Sequence, residues 1–208
     1  MRTIVFDFDG TIADTLPELV KVLNSLSTKF GYKKIAPEEI SRLRGLELRQ
    51  AFKQLGISMV QLPFLVRKVK SALNSNIPLV KLQKNMGFVL LKLKENGFNL
   101  GILTSNSGAN VKLFLKGNGI DVFEFIYSGS SIFGKGNVLK RLLRSEKLSL
   151  EEVVYVGDET RDIDAAKKVG VQIIAVSWGF NSRRILEKQK PDFLIDTPNK
   201  LIKIVERL

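Results

Sequence analysis

Two aspartates near the start of the chain are spaced so that they can act together. Asp7 and Asp9 follow the apolar residues 4–6, which predict a buried strand ending in two acids. Alternate side chains of a strand point to the same side and lie about 6.5–7 Å apart. Two carboxylates held this close repel each other unless a cation or a shared proton offsets the repulsion. The spacing therefore indicates either a cation-binding centre or, more simply, a strand end with two solvated acids.

A second group of acids follows a later apolar run. Asp158, Glu159 and Asp162 come after residues 153–156, which predict another buried strand. Acids at a helix N-terminus interact favourably with the helix dipole, and this alone can account for Asp162. It accounts poorly for Asp158, which leaves its strand opposite the expected position of Asp7. Three or four carboxyl oxygens converging there would suit Mg²⁺, which also keeps water and phosphate oxygens as ligands.

Hydroxyl, amide and amine groups follow two further predicted strands. Thr104, Ser105 and Asn106 end one strand and open a helix. Ser105 or Asn106 can be no more than a helix N-cap, or the free amides of that helix N-terminus can hold a phosphate. Lys135 lies in a loop before another helix, where a lone lysine is usually solvated. Its position after a predicted strand makes it a candidate for the same site.

The elements that must position these residues alternate between strand and helix. Strands are predicted at residues 4–6, 99–103, 123–127, 153–156, 172–176 and 193–195, with helices between most of them. This alternation predicts a Rossmann-like α/β core, a parallel sheet with helices on both faces. In open α/β sheets the site lies outside the carboxyl ends of the strands, where these polar clusters fall.

A helical insertion is predicted between residues 12 and 84. Helical periodicity recurs through this segment and no strand pattern interrupts it. Thr15 and Glu18 have the spacing of a capping box at the start of its first helix. The predicted division is therefore a catalytic core of residues 1–11 and 85–208 and a helical cap of residues 12–84.

Two residue types that many enzymes use are absent. The 208 residues include no cysteine, which excludes disulfides and thiolate metal sites, and no histidine. Serine–histidine–aspartate triads and histidine-based zinc sites are therefore impossible. If the chain is an enzyme, its chemistry must come from carboxylates, lysine, hydroxyl groups and a hard metal ion.

The formal net charge of +12 is concentrated in the predicted cap. Residues 12–85 hold thirteen Lys or Arg and five Asp or Glu. Such a surface could bind nucleic acid, a membrane or small anions, but no basic cluster is interleaved with aromatic residues. No run of about 18 apolar residues occurs, and the first strand begins too early for a signal peptide. We expect no nucleic-acid partner, no membrane association and a cytoplasmic location.

The order and spacing of four motifs resemble the haloacid dehalogenase-like superfamily, in its phosphoglycolate-phosphatase-like branch. The motifs lie at residues 7–11 and 104–106, at Lys135, and at residues 157–162. The resemblance covers the whole chain, and the insertion is similar to the small helical cap of that branch. One departure is Gly136, since proline often follows the motif lysine, and we expect the lysine to keep its role in a looser loop.

The resemblance implies a phosphoryl-transfer mechanism. Asp7 would be the nucleophile that forms an aspartyl-phosphate, and Asp9 the general acid and then the general base. Mg²⁺ would be held by Asp7, the carbonyl of Asp9 and Asp158, with Asp162 and Glu159 in support. The phosphoryl oxygens would be bound by a further set of polar groups, from Gly10, Thr104, Ser105 and Lys135.

The predicted function is a Mg²⁺-dependent phosphomonoester hydrolase acting on a small phosphorylated metabolite. An aspartate at position 9 favours ester chemistry, because the branches that act as dehalogenases or ATPases lack this acid. Arg44 and Arg49 would read an anionic leaving group, although both can be ordinary surface charges. Two alternatives stay open: a phosphosugar mutase of the β-phosphoglucomutase type, and a non-catalytic regulatory domain that binds a phosphorylated ligand.

Overall fold

The chain builds one main sheet and one short two-stranded ribbon. The computed structural model describes residues 2–129 and 134–208. The strands are β1 Thr3–Phe6, β2 Ala13–Asp14, β3 Lys81–Leu82, β4 Asn99–Thr104, β5 Phe125–Ser128, β6 Val153–Gly157, β7 Gln172–Val176 and β8 Phe193–Ile195. The main sheet is parallel throughout, in the order β5-β4-β1-β6-β7-β8. Strand β1 thus lies at the centre, between β4 and β6.

Helices connect the strands and cover the sheet. They are α1 Leu16–Phe30, α2 Pro37–Arg44, α3 Leu48–Leu55, α4 Leu62–Asn76, α5 Met86–Glu95, α6 Gly108–Gly117, α7 Lys135–Ser145, α8 Thr160–Val169, α9 Arg183–Lys188 and α10 Asn199–Val205. Short 3₁₀ turns occur at Ile77–Leu79 and Leu150–Glu152. In the described part of the chain, no helix has both the length and the apolar character needed to cross a bilayer.

The two faces of the sheet follow from the alternation of side chains along β1. Ile4 and Phe6 pack in one apolar cluster with residues of α5, α6 and α10. Val5 points to the opposite face, where it packs with residues of α7, α8 and α9. A strand that is apolar on both faces is typical of a central parallel strand. The predicted α/β fold with helices on both faces is therefore confirmed.

Helices α1 to α4 enclose an apolar cluster of their own. Val22, Leu23, Leu55, Leu65 and Val69 are buried in it, apart from both clusters of the sheet. This separate core supports a helical cap. The predicted division at residues 12 and 84 remains a proposal.

The prediction that no strand occurs between residues 12 and 84 is wrong. Strands β2 and β3 pair antiparallel, with Asp14 opposite Lys81 and Ala13 opposite Leu82. Two-residue strands are too short for any alternation of apolar and polar residues, so the sequence does not reveal them. The ribbon joins the ends of the inserted segment next to the main sheet.

Two helix ends and one whole helix also differ from the predictions. Thr15 precedes α1 but its side chain caps no amide, and Glu18 instead accepts from Lys21 and Asn76. The N-cap of α6 is Ser107, whose hydroxyl accepts from the Asn110 amide, rather than Ser105 or Asn106. Helix α9 was not predicted, because its six residues lie in a segment without clear periodicity.

Candidate active site

The parallel pairing of β1 and β6 brings the two acidic motifs together. Phe6 is paired with Val156, and the amide of Asp7 donates to the Val156 carbonyl at 2.8 Å. Asp7 and Asp158 therefore leave adjacent strands at the same edge of the sheet. This is the carboxyl edge, where open α/β sheets bind their ligands.

Three carboxylates meet at this edge. Single carboxyl oxygens of Asp7, Asp158 and Asp162 all lie within 4.8 Å of one another. Asp7 is 3% exposed, and Asp158 and Asp162 are fully buried. Hard divalent cations bind carboxylate oxygens, and the charge of such an ion would offset the repulsion among three buried acids. The donor set therefore fits a divalent metal ion.

Close packing against glycine holds the carboxylate of Asp158. Its Oδ1 accepts from the Thr11 hydroxyl at 2.8 Å and its Oδ2 from the Phe180 amide at 2.6 Å. A Cβ atom added to Gly10 or to Gly179 would lie 2.3 or 2.1 Å from Oδ2, so neither position has room for a side chain. The importance of Gly179 was not predicted, because it lies in no motif.

Gly10 shapes the turn that follows β1. Its φ of +81° is a conformation that favours glycine. Its amide donates to the Ala13 carbonyl at 2.8 Å, and its own carbonyl accepts from Gln83 at 3.1 Å. Both backbone groups are thus engaged within the protein. Phosphate binding by Gly10 stays a prediction.

Lys135 contacts two of the three clustered acids. Its Nζ lies 2.7 Å from Asp7 Oδ2 and 2.5 Å from Asp162 Oδ1, and the residue is 4% exposed. Burial alone would lower the pKa of Lys135, but the carboxylates of Asp162 and Asp7 outweigh burial and raise it. Lys135 therefore stays charged and partly neutralises the acids.

The same crowding changes the acidity of the carboxyl groups. Burial raises the pKa of Asp7 from an ordinary value of 3.8 to about 7, although Lys135 opposes the rise. The pKa of Asp158 is also raised well above its ordinary value, first by burial and then by the charges of Glu159 and Asp7. In the absence of a metal ion, these acids resist ionisation.

Asp9 has partners different from those of Asp7. Both of its carboxyl oxygens lie 3.3 Å from the side-chain amide nitrogen of Asn106. Burial raises the pKa of Asp9, while the hydrogen bond from Asn106 opposes the rise. Asp9 is partly exposed and lines a cavity between the cap and the sheet, whereas Asp7 contacts Lys135.

The second predicted motif also borders this cavity. Thr104 is fully buried, and its hydroxyl accepts from the Asn106 amide at 2.9 Å. Ser105 lines the cavity, and its carbonyl accepts from the cap residue Lys70 at 3.1 Å. Asn110 links the same region to the cap, because it bonds both Asn106 and Asn74.

The two predicted cap residues lie in different surroundings. Arg44 donates from Nε to the Gly179 carbonyl at 2.9 Å and from Nη2 to the Ser177 carbonyl at 2.8 Å. Arg49 is exposed and is not among the residues that line the cavity. Arg44 thus fastens the cap to the loop after β7, and substrate recognition by either arginine stays a prediction.

The loop after β7, residues 177–182, joins the cap to the acids. Asn181 accepts from the Thr160 amide at 2.9 Å and donates to the carbonyl of Leu46 in the cap at 3.2 Å. The same loop supplies the Phe180 amide to Asp158. Asn181 was missed in the sequence, because its partners are distant along the chain and the residue belongs to no motif.

The fold, the order of the motifs and the cluster of acids agree with the comparisons to known proteins. A sequence profile of the haloacid dehalogenase-like hydrolases matches residues 4–176. The chain belongs to this family of hydrolases. The predicted family is thereby confirmed. The predicted class of enzyme, a phosphatase, is confirmed by a full-length relative of that class.

Relatives extend the likeness to the full chain. A phosphoglycolate phosphatase of Synechococcus elongatus is 37% identical over 209 residues, covering 100% of this chain and 99% of that protein. A pyrophosphatase PpaX of Bacillus mycoides is 24% identical, with 100% and 98% covered. Among solved structures, a predicted phosphatase from Clostridium acetobutylicum superposes with a TM-score of 0.84 at 21% identity, covering 100% and 99% of the two chains. That structure supports the fold.

We expect Gly179→Ala to displace Asp158 and weaken divalent-metal binding. The added Cβ would lie 2.1 Å from Asp158 Oδ2, and overpacking of this kind lowers the free energy of unfolding by about 1–3 kcal/mol. Isothermal titration calorimetry with Mg²⁺ and thermal unfolding measure the two effects. Gly117→Ala is the matched control, because a Cβ there meets nothing within 4 Å. Equal metal affinity in both variants would contradict a role of Gly179 in positioning Asp158 for metal binding.

We expect Arg44→Ala to weaken the contact between the cap and the loop of residues 177–182. The change removes two hydrogen bonds to backbone carbonyls, and bonds from charged donors contribute about 1.5–3 kcal/mol each. Hydrogen exchange should accelerate at residues 177–182. The control is Arg42→Ala, which removes an exposed ion pair with Glu39 and should change little. Unchanged exchange in Arg44→Ala would show that the contact does not hold the loop.

The raised pKa of Asp7 predicts a specific pH dependence in the absence of metal. The folded protein binds a proton at Asp7 more tightly than the unfolded chain does, so the free energy of unfolding should fall as the pH rises from about 4 to about 7. Chemical denaturation in EDTA across this range measures the fall. In Asp7→Asn the fall should be smaller. An identical slope in that variant would refute the contribution of Asp7.

Proposed function

We propose that the protein is a Mg²⁺-dependent phosphomonoester hydrolase that forms an aspartyl-phosphate on Asp7 and acts on a small phosphorylated metabolite. The main support is the cluster of Asp7, Asp158 and Asp162, whose carboxyl oxygens lie within 4.8 Å of one another. A solvated strand end would not bury three acids together. The absence of cysteine and histidine leaves carboxylates as the natural groups for this chemistry.

Asp7, Asp158 and the carbonyl of Asp9 would hold Mg²⁺, with Asp162 and Glu159 in support. When bound, the ion supplies positive charge that reduces the repulsion between the acids and a phosphate ester. The positive charge of Lys135 also offsets part of the negative charge of the acids, because Lys135 contacts both Asp7 and Asp162.

Asp7 is held in a position suited to nucleophilic attack. Its Oδ1 accepts from the Phe8 amide at 2.8 Å, and its Oδ2 is paired with Lys135 at 2.7 Å. Burial raises the pKa of Asp7 to about 7, and the charge of Lys135 opposes this rise and so favours the ionised carboxylate that the attack requires. A bond would form between a carboxyl oxygen of Asp7 and phosphorus, while the bond from phosphorus to the leaving oxygen breaks.

Asp9 is suited to transfer the proton. Burial raises the pKa of Asp9 above its ordinary value, which is the direction that a proton donor needs, and Asp9 lines the cavity that would receive the leaving group. Asp9 would protonate the leaving oxygen and then accept a proton from the water that hydrolyses the aspartyl-phosphate. The hydrogen bond from Asn106 holds its carboxyl group at the edge of the cavity.

Hydroxyl and amine groups beside the acids would hold the phosphoryl oxygens. We assign this role to Thr104, Ser105 and Lys135, which lie at or next to the carboxyl edge of the sheet. Such donors stabilise the charge that the phosphoryl group carries in the transition state. Ser105 is the member of the set that lines the cavity.

The names of the relatives indicate which substrates to test first. A full-length relative at 37% identity is a phosphoglycolate phosphatase, and relatives named pyrophosphatase PpaX are 24–27% identical. Phosphoglycolate and inorganic pyrophosphate are therefore the first two compounds of the panel. A solved relative, CbbY of Rhodobacter sphaeroides, binds phosphate and shares the fold, with a TM-score of 0.72 at 19% identity.

Partners and location follow from the same proposal. A small phosphorylated metabolite would be the partner, with no nucleic acid or membrane involved, and the cytoplasm would be the compartment.

The two alternative functions, a phosphosugar mutase and a regulatory domain, are less favoured. A mutase would convert one sugar phosphate into an isomer without releasing phosphate, and a regulatory domain would bind its ligand without turnover.

The deciding experiment measures phosphate release from a panel of phosphorylated metabolites. We expect release with Mg²⁺, no release with EDTA, and only background activity in Asp7→Asn. Asp9→Asn should lower kcat by about 10²–10⁴-fold, which is the usual contribution of general acid–base catalysis. Asp164→Asn, an exposed acid on α8, is the matched control and should retain full activity. Phosphate release by Asp7→Asn at the rate of the original protein would rule out the nucleophile.

A further inference from the structure

We propose that Arg44 is a positioning residue for the metal-binding acids, and that it links the contact between cap and sheet domain to the affinity for a divalent ion. The guanidinium of Arg44 would act through the loop of residues 177–182, which contacts Asp158 as well as the cap. This inference rests on the metal site of the proposed function but not on the identity of the substrate.

The first support is the set of hydrogen bonds between this loop and Arg44. The guanidinium donates to the carbonyls of Ser177 and Gly179 at 2.8 and 2.9 Å. The main-chain carbonyl of Arg44 accepts from the Ser182 amide at 2.8 Å and from the side-chain amide of Asn181 at 3.3 Å. The side chain and the backbone of one cap residue thus hold both ends of the loop.

The second support is that the same loop holds Asp158. The Phe180 amide donates to Oδ2 of Asp158 at 2.6 Å, and the Asn181 amide donates to its main-chain carbonyl at 3.3 Å. Gly179 lies so close to this carboxylate that an added Cβ would be 2.1 Å from Oδ2. Gly179 therefore contacts the acid while its own carbonyl accepts from Arg44.

The third support is that Asp158 keeps the capacity to bind a metal ion while the loop holds it. A carboxylate has about four lone-pair positions, and Thr11 and Phe180 use one on each oxygen. Positions remain for an ion shared with the other two acids of the cluster. A ligand that is already held in place loses less conformational entropy when it binds. A loop fixed by the cap should therefore raise the affinity for the ion.

The linkage must act in both directions. If the contact between the cap and the loop raises the affinity for a metal ion, the bound ion must stabilise that contact by the same free energy. Two independent measurements can therefore test the inference, one on the metal and one on the cap.

The first test measures Mg²⁺ affinity by isothermal titration calorimetry in the absence of substrate. Arg44→Ala should bind Mg²⁺ at least about fivefold more weakly than the original protein, which is the lower end of the usual coupling between sites. The control is Arg42→Ala, which removes an exposed ion pair with Glu39 and should leave the affinity unchanged. Equal affinity in Arg44→Ala and the original protein would overturn the inference.

A conservative variant distinguishes positioning from charge. Arg44→Lys keeps the positive charge but replaces a planar group that donates to two carbonyls with a single ammonium. Its affinity for Mg²⁺ should lie between those of Arg44→Ala and the original protein. This variant also serves if Arg44→Ala does not fold. An affinity equal to that of the original protein would reject positioning through the two carbonyls.

The second test measures hydrogen exchange in residues 37–47 of the cap, with and without Mg²⁺. Exchange should slow when Mg²⁺ is added to the original protein. The slowing should be lost in Arg44→Ala, and also in Asp158→Asn, which lacks one of the metal-binding acids. Exchange that does not respond to saturating Mg²⁺ in the original protein would overturn the linkage.

The outcomes separate this inference from the proposed function. A higher KM in Arg44→Ala with unchanged Mg²⁺ affinity would overturn the linkage, assign Arg44 to substrate recognition and leave the hydrolase intact. The expected loss of Mg²⁺ affinity, together with no turnover of any phosphate ester by the original protein, would support the linkage and reject the hydrolase. No binding of Mg²⁺ by the original protein would overturn both.

Discussion

The main physical constraint on this structure is the repulsion among buried acids at the carboxyl edge of its sheet, which must be offset. Asp7, Asp158 and Asp162 are brought together by the pairing of β1 with β6 and by the start of α8. Burial makes their negative charge more costly, and Lys135 offsets part of it. Such an arrangement is stable only with additional positive charge or with bound protons. A divalent metal ion bound by these carboxyl oxygens would supply such positive charge.

The loop of residues 177–182 connects this electrostatic centre to the cap. Gly179 leaves room for the carboxylate of Asp158, and the Phe180 amide donates to it. The carbonyls of Ser177 and Gly179 accept from Arg44 of the cap. The same six residues thus contact both the cap and Asp158.

Much of the fold and the centre of the site could be predicted from the sequence, because both follow from local patterns. Apolar runs ending in polar residues indicated the six parallel strands, and a parallel sheet places the strand ends at one edge. The contacts of Arg44 could not be predicted, since its partner carbonyls lie 133 and 135 residues away. The role of Gly179 depends on the nearby carboxylate of Asp158, which no periodicity reveals. The apolar lining of the cavity between the cap and the sheet depends on how helices α1 to α4 pack, and the basic composition of this segment does not indicate it.

The ribbon of β2 and β3 has a consequence for the evolution of the chain. Asp14 and Lys81 are directly paired, so the chain leaves the sheet domain and returns to it at neighbouring points. Antiparallel strands can be joined by a turn of only two residues. The two ends of the inserted segment are thus held side by side. A difference in length within the segment therefore does not by itself require β1 to move.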